Sequence, residues 1–173
     1  MNLFILDVDG VMTTGEFFYS SEGKLLKSFG PDDSDALSLL RNYIKIEFVT
    51  GDKKGFNISK KRITDDMGYE LNLVSTIKRK EWIEKKYPLE KVIYMGDGIF
   101  DFLVMNEVGY SIAPSNADKN AIEVADYITK RTGGKRAVSE ACLHILEKFF
   151  GVKSINQAIN SNKELNTGEW TIC

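Results

Sequence analysis

Cysteine and histidine are scarce in this chain of 173 residues. It has two cysteines, Cys142 and Cys173, and one histidine, His144. Two cysteines cannot make a disulfide framework, and their spacing matches no metal-binding motif. We therefore expect reduced thiols in a cytoplasmic compartment. His144 lies near no visible cluster of chemical residues, so it is interpreted as a core or surface side chain.

Long apolar runs and an excess of one charge are also missing. No stretch approaches the roughly 20 apolar residues that a membrane-spanning helix needs, and the first residues do not resemble a signal peptide. The formal net charge is −2, which gives no reason to expect nucleic acid or an anionic membrane as a partner. With 43% apolar and 28% charged residues, the composition is that of an ordinary globular protein.

Short apolar runs alternate with longer segments of helical period. The runs LFILDV (3–8), IKIEFVT (44–50) and KVIYMGDG (91–98) predict strands, and the first reads as buried on both faces. Alternation of this kind predicts a Rossmann-like α/β fold, a three-layer sandwich with a mostly parallel sheet. Ligands of such open sheets bind at the carboxyl ends of the strands.

One early segment departs from this alternation. EFFYSSEGKLLKSF (16–29) has two β-rich runs around a Ser-Ser-Glu-Gly turn and predicts a small β-hairpin. The last steady helical period ends near Phe150, and the residues beyond it are polar. We expect one domain over residues 1–150, with the hairpin as a flap, followed by a C-terminal tail over residues 151–173.

Polar residues follow three of the predicted strands at the points where the strands end. Asp7 and Asp9 close the first strand, Thr50 follows another, and Asp97 follows a third. Because the carboxyl ends of parallel strands meet at one edge of a sheet, we expect these side chains to lie together. Chance placement would scatter them over loops at both ends.

The spacing of the first two acids points to a metal. Residues two apart in a strand face the same side, so the carboxylates of Asp7 and Asp9 would repel each other. A divalent cation relieves that repulsion, and hard oxygen ligands suit Mg²⁺. Asp97 would supply a third carboxylate, and Asp101 could bind the metal or orient a ligand. The alternative is structural, since an Asp-Gly pair can simply form a turn.

These motifs, in this order, resemble those of the haloacid dehalogenase superfamily of phosphatases. Its first motif, DxDG followed by Val or Thr, is DVDGV (7–11) here. Its second, an apolar strand ending in Ser or Thr, is FVTGD (48–52), and its fourth, GDxxxD, is GDGIFD (96–101).

The third motif of the superfamily is a lysine that precedes the fourth. Lys78 and Lys80 are the candidates in this chain. We prefer Lys78, because Trp82 and Ile83 then fall on the expected apolar face of the helix. Lys80 is the second choice.

The chain further resembles a small capless subgroup of that superfamily, which includes phosphatases of octulosonate 8-phosphate and nonulosonate 9-phosphate. The resemblance is carried by DVDGVMTTG (7–15), the hairpin, and RTGGKRAVSEACLHIL (131–146). The chain departs from the subgroup where Asp, Arg, Gly and Arg are usual; it has Thr14, Asp52, Arg136 and Ser139 at these positions. The departures leave the identity of the sugar open.

The resemblance implies a Mg²⁺-dependent phosphomonoesterase. Asp7 would be the nucleophile that forms an aspartyl-phosphate, and Asp9 the general acid and base. Asp7 and Asp97 would bind the metal through their side chains and Asp9 through its backbone carbonyl. Thr50, Gly51 and Lys78 would bind the phosphate.

The resemblance also implies a sugar phosphate substrate and an oligomer. The substrate would be a phosphorylated 3-deoxy sugar acid used for surface glycans, in lipopolysaccharide or sialic acid synthesis. Because no cap domain covers the site, a homotetramer would complete the pocket with neighbouring hairpins and tails.

Three other interpretations compete with this one. A receiver-type signalling domain also places acids, Thr and Lys on a parallel sheet, but its paired acids are adjacent rather than separated by one residue. A catalytically silent assembly module has no use for both Asp7 and Asp9. A phosphatase of another small metabolite would share the same chemical residues.

Overall fold

The computed structural model describes residues 1–161. Residues 162–173, which make up half of the predicted tail and include Cys173, lie outside the described residues. The boundary of the tail therefore stays a prediction.

A parallel sheet forms the centre of the molecule. The described residues contain eight strands: β1 (Leu3–Asp7), β2 (Phe18–Ser20), β3 (Gly23–Leu26), β4 (Lys45–Thr50), β5 (Glu70–Leu73), β6 (Val92–Met95), β7 (Tyr110–Ala113) and β8 (Tyr127–Ile128). Six of them form one sheet in the order β5-β4-β1-β6-β7-β8, and every pairing in it is parallel. The predicted α/β fold with a mostly parallel sheet is confirmed.

Helices connect the strands and cover both faces of the sheet. They are α1 (Pro31–Leu40), α2 (Phe56–Lys60), α3 (Arg79–Glu84), α4 (Phe102–Met105), α5 (Lys119–Val124), α6 (Ala137–Phe150) and α7 (Ile155–Ser161). A π-helical stretch, Lys61–Asp66, extends α2, and a 3₁₀ turn, Thr76–Lys78, precedes α3. Within residues 1–161, no helix has the length and apolarity needed to cross a membrane.

The central strand β1 divides the hydrophobic core in two. Phe4 and Leu6 belong to the cluster that contains the apolar faces of α1 and α6. Leu3 and Ile5 belong to the cluster that contains those of α3, α4 and α5. Successive side chains of a strand point to opposite faces, so a continuous apolar run is what a strand covered on both sides requires.

The predicted hairpin forms from β2 and β3, which pair antiparallel as a separate two-stranded sheet. It packs beside the carboxyl end of β4, because Lys24 and Lys27 both form ion pairs with Asp52. The outer side chains of the hairpin remain exposed.

The longest helix, α6, is joined to α1 through a buried carboxyl group. Asp33 Oδ1 accepts a hydrogen bond of 2.8 Å from the N–H of Ser139 in the first turn of α6. Asp33 is 1% exposed, and its Oδ2 has no hydrogen-bond partner. Burial, reinforced by the nearby charge of Asp32, raises the pKa of Asp33 to about 6, although the Ser139 N–H opposes the shift.

This buried acid predicts a pH dependence of stability. Folding raises the pKa of Asp33 from 3.8 to about 6. The contribution of Asp33 to the free energy of unfolding is therefore full below pH 3.8 and is lost as the pH rises through 6. Relative to Asp33→Asn, the wild-type chain should lose at most about 3 kcal/mol of unfolding free energy across that range. Urea unfolding in EDTA at a series of pH values measures the difference.

Asp65→Asn serves as the matched control, because Asp65 is exposed and, within residues 1–161, its ion pair is with Lys61 on the same helical stretch. The difference in unfolding free energy between Asp65→Asn and the wild type should not change with pH. Parallel pH curves for the wild type and Asp33→Asn would contradict the prediction.

Candidate active site

The chain turns sharply where β1 ends. An irregular turn over Val8–Met12 follows Asp7, and inside it Gly10 has a φ of 96°, a left-handed value that favours glycine. A Cβ atom on Gly10 would lie 1.9 Å from Asp97 Oδ2. The glycine therefore permits the turn after β1 and the turn after β6 to approach each other closely.

The acids that follow these two strands do meet. One carboxylate oxygen each from Asp7, Asp97 and Asp101 lies within 4.8 Å of the others. Asp9 lies beside the end of β4, where the hydroxyl of Thr50 donates to Asp9 Oδ2 over 3.1 Å. The predicted gathering of side chains at the carboxyl edge of the sheet is thus present in the structure.

Asp101 is fully occupied by protein donors. Its Oδ1 accepts from Arg79 Nη1 at 2.8 Å and from the Tyr94 hydroxyl at 2.7 Å. Its Oδ2 accepts from the N–H groups of Asp97 at 3.0 Å and Gly98 at 2.8 Å. A carboxylate has about four acceptor positions, so Asp101 orients the turn that carries Asp97 and has no lone pair left for a metal.

Asp97, unlike Asp101, has a carboxylate oxygen without a donor. Its Oδ1 is buried and has no hydrogen-bond partner. Burial, followed by the charges of Asp7 and Asp101, raises the pKa of Asp97 to about 8, against the influence of Arg79. A buried carboxylate oxygen without a partner is costly, and a bound cation would remove that cost.

Asp7 can share such a cation. Its Oδ1 accepts from Val8 N and from Arg79 Nη2, whereas its Oδ2 accepts only from Arg79 Nη1. One acceptor position on Oδ2 therefore remains, close to the unpartnered Asp97. Burial raises the pKa of Asp7 to about 6 even though the Arg79 guanidinium lowers it. This donor set of hard oxygens fits a divalent cation such as Mg²⁺.

Arg79 is the cation that reaches Asp7 and Asp101, which corrects the sequence-based choice of Lys78. Arg79 Nη1 lies 2.7 Å from Asp7 Oδ2 and Nη2 lies 3.0 Å from Oδ1, the two-pronged geometry that a guanidinium favours. The side chain of Lys78 is 68% exposed and pairs with Glu81. Lys80, the second choice, pairs with Glu107 outside the cluster.

The register of α3 explains the difference. Residues four apart share one helical face, and Arg79 and Ile83 are the two buried residues of α3. Ile83 was recognised in the sequence as an apolar-face residue, and counting back one turn from it leads to Arg79. Lys78, the residue before Arg79, was chosen instead because the resemblance called for a lysine.

Thr50 lies in the site, and Gly51 follows it directly. Thr50 is buried, and its hydroxyl oxygen accepts from the N–H of Asp52 at 3.1 Å while donating to Asp9. Gly51 is exposed, and a Cβ atom on it would lie 3.3 Å from Thr76 Oγ1. The role of both residues in phosphate binding stays a prediction.

The sequence analysis missed a second cation, Lys27 of the hairpin. Its side chain is fully buried, with Nζ 2.6 Å from Asp9 Oδ1 and 2.9 Å from Asp52 Oδ2. It also donates to Ser59 Oγ over 2.9 Å. A lysine in a short exposed hairpin gives little indication of burial, but the unusual acid at position 52 was a signal that a positive partner lies nearby.

Asp52 is held as a carboxylate by this arrangement. Burial alone would raise the pKa of Asp52, but hydrogen bonds from Lys24, Lys27 and the N–H of Gly55 outweigh burial and lower it to about 2. Asp52 therefore anchors the flap beside Asp9 with a stable negative charge.

The comparisons with known proteins agree with this geometry. A profile of haloacid dehalogenase-like hydrolases matches residues 79–141. The 3-deoxy-D-manno-octulosonate 8-phosphate phosphatase KdsC of Salmonella typhi is 32% identical over 152 residues, which cover 82% of this chain and 77% of that protein. The chain belongs to the haloacid dehalogenase-like hydrolase family, as its motifs predicted.

Solved structures of phosphatases with that name are also similar to this chain. The phosphatase of that name from Yersinia pestis has a TM-score of 0.73 at 30% identity and covers 84% of this chain and 80% of its own. The one from Moraxella catarrhalis, a complex with magnesium ion, phosphate ion and KDO, has a TM-score of 0.72 at 28% identity, with coverage of 85% and 86%. The predicted family, fold and class of enzyme are confirmed.

The position of Arg79 predicts a large difference between neighbouring residues. Arg79→Met leaves Asp7 and Asp101 buried without their cation, and should lower the free energy of unfolding by about 3–5 kcal/mol. Lys78→Met, at an exposed site, should stay within about 0.5 kcal/mol of the wild type. Urea unfolding near neutral pH in EDTA measures both, and equal effects would contradict the placement of these side chains.

Proposed function

We propose that this chain is a Mg²⁺-dependent phosphomonoesterase that acts through an aspartyl-phosphate on Asp7. The observation that carries the proposal is the unpartnered, buried Oδ1 of Asp97 beside the open acceptor position of Asp7. Such a pair of carboxylates is suited to a divalent cation, and Asp9 lies two residues after Asp7 in the turn that follows β1. The family to which the chain belongs supports the same reaction class.

The proposed reaction has two displacements. An oxygen of Asp7 gives up one of its hydrogen bonds from Val8 N or Arg79 and attacks phosphorus, and the bond from phosphorus to the sugar oxygen breaks. Asp9 donates its proton to that leaving oxygen and then removes a proton from water. The water oxygen attacks phosphorus, the bond to Asp7 breaks, and inorganic phosphate is released.

The metal would be held by the side chains of Asp7 and Asp97 and by the backbone carbonyl of Asp9. When bound, it supplies positive charge that offsets the repulsion between the phosphate oxygens and the attacking carboxylate. Asp101 keeps the turn of Asp97 in place through its bonds to two N–H groups.

Arg79 takes the part that the resemblance gave to a lysine. Its guanidinium orients the two oxygens of Asp7 and brings a permanent positive charge to the site. The Thr50 hydroxyl and the Gly51 N–H are the proposed donors to the phosphoryl oxygens. The one hydroxyl hydrogen of Thr50 is donated to Asp9 in the structure, so it would turn from Asp9 to the phosphoryl oxygen when substrate binds.

For the substrate we propose a phosphorylated 3-deoxy sugar acid, octulosonate 8-phosphate or nonulosonate 9-phosphate, in a cytoplasmic step of surface-glycan synthesis. The names of the relatives support this class. Asp52, with its two lysine partners, stands where the subgroup has arginine. This different charge beside Asp9 is the reason to test both sugar acids, and other phosphorylated metabolites, rather than one.

The proposed chemistry predicts that the purified chain hydrolyses p-nitrophenyl phosphate with Mg²⁺ and loses this activity in EDTA. Asp7→Asn should abolish turnover, because an amide is a poor nucleophile, while the circular dichroism spectrum stays that of the wild type. The same preparations are then tested for phosphate release from the two sugar acid phosphates and from a panel of other phosphorylated metabolites.

Asp66→Asn is the control and should retain full turnover, because Asp66 is exposed on the π-helical stretch and pairs with Lys61 rather than with the acid cluster. Activity that survives in Asp7→Asn would refute the nucleophile. Activity confined to phosphates other than those of sugar acids would refute the substrate class and leave the reaction type standing.

We also propose that the chain forms a homotetramer through its hairpins. Four large apolar side chains of the hairpin are roughly half exposed or more: Phe18 (53%), Tyr19 (60%), Leu25 (53%) and Leu26 (61%). An exposed apolar patch of this kind favours a protein partner. Pairing of hairpins between copies would also cover a site that has only a small flap of its own.

Light scattering should therefore give about four times the chain mass of 19.5 kDa. Leu26→Glu places a charge in the proposed contact and should shift the mass to a smaller species. Ile128→Glu, at a similarly exposed apolar residue of β8, should leave the mass unchanged. A monomeric wild type with full activity would refute the tetramer.

A further inference from the structure

The loop between β8 and α6 packs directly against the turn that carries Asp9. A Cβ atom on Gly133 would lie 1.7 Å from the carbonyl oxygen of Gly10. Gly134, with a φ of 67°, donates its N–H to the carbonyl of Val11 over 2.9 Å. The two backbones are in contact with no side chain between them, so a shift of this loop moves the turn.

Glu140 fixes the near end of that loop. Its Oε1 accepts from the N–H of Lys130 at 2.8 Å and from the hydroxyl of Tyr127 at 3.0 Å. Its Oε2 accepts from the N–H of Arg131 at 3.1 Å. One carboxylate thus bonds two consecutive backbone amides, and one residue, Thr132, separates them from the glycine pair.

A second contact fixes the glycine pair itself. The N–H of Gly133 donates to Asn116 Oδ1 over 2.9 Å, and Asn116 follows β7. The loop is therefore held from α6 on one side and from the end of β7 on the other. Gly133, the residue that packs on Gly10, is thus bonded directly by Asn116 and lies two residues after Arg131, which Glu140 holds.

We propose that Glu140 is a positioning residue for catalysis, which holds the loop 130–134 against the turn 8–12 and so fixes Asp9. This inference rests on the proposed function of Asp9 as general acid and base. Glu140 lies on α6 outside the acid cluster and acts through the hydrogen bonds that it accepts from the backbone of Lys130 and Arg131 and from the hydroxyl of Tyr127. Both of its oxygens accept from donors, so a glutamine, which has one oxygen, replaces only part of its function.

The test is a graded series of variants assayed with p-nitrophenyl phosphate and Mg²⁺. Glu140→Ala, which removes all three hydrogen bonds, should lower kcat about 10- to 100-fold, the size expected for a misplaced catalytic group. Glu140→Gln should fall between alanine and the wild type, and Tyr127→Phe, which removes one bond, should have a small effect. KM should stay near the wild-type value, because Glu140 touches no proposed phosphate donor.

Hydrogen exchange provides a measurement that does not depend on activity. The N–H groups of Thr13 and Gly134, which donate to Val8 and Val11, should exchange faster in Glu140→Ala. Glu147→Ala is the matched control, because Glu147 is an exposed residue two turns further along the same helix. It should change neither kcat nor these two exchange rates.

The outcomes separate the possible explanations. If kcat falls only in proportion to the fraction of unfolded protein, or if the two amides exchange as in the wild type, the inference is wrong. Should Glu140→Ala fail to fold, Glu140→Gln and Tyr127→Phe carry the same comparison. A wild-type chain with no phosphatase activity would refute the proposed function instead, and the exchange of Thr13 and Gly134 still tests the coupling of the two loops.

Discussion

One buried guanidinium connects the parts of the candidate site. The side chain of Arg79 is 2% exposed and bonds Asp7, Asp101 and Tyr94. A charge so deeply buried is tolerated only when its partners compensate for the lost water, and here two carboxylates and a phenol do so. Through Asp101 the same network fixes the turn that carries Asp97, so a single residue of α3 joins the ends of β1 and β6.

A second layer of charge comes from the flap. Lys24 and Lys27 reach from the hairpin to Asp52, and Lys27 also reaches Asp9. The carboxylates in this region outnumber the cations: Asp7, Asp9, Asp52, Asp97 and Asp101 face Arg79, Lys24 and Lys27. When all are ionised, the formal excess of two negative charges is what one divalent cation would neutralise, in keeping with the proposed Mg²⁺. The acid at position 52 is therefore accommodated by a flap that carries its own partners.

Much of this arrangement was predictable from local patterns. Apolar runs identified the strands, and the residues that follow them identified the edge at which Asp7, Asp9, Thr50 and Asp97 gather. Lys78 was chosen because the resemblance called for a lysine, whereas the spacing of four residues from Ile83 places Arg79 on the buried face of α3. Lys27 was missed for a different reason, since a hairpin pattern does not indicate which of its side chains becomes buried.

Local sequence patterns and tertiary contacts determine different features of this protein. Strand alternation, turn glycines and the order of the motifs are properties of neighbouring residues, so the chain alone was sufficient to predict the parallel sheet, the family and the acidic edge. The identity of the cations, the saturation of Asp101 and the open position on Asp97 depend on segments far apart in sequence. Hydrogen-bond partners and burial are set by the packing of those segments against one another, and they became visible only once α3, the hairpin and the loop before α6 were placed around the strand ends.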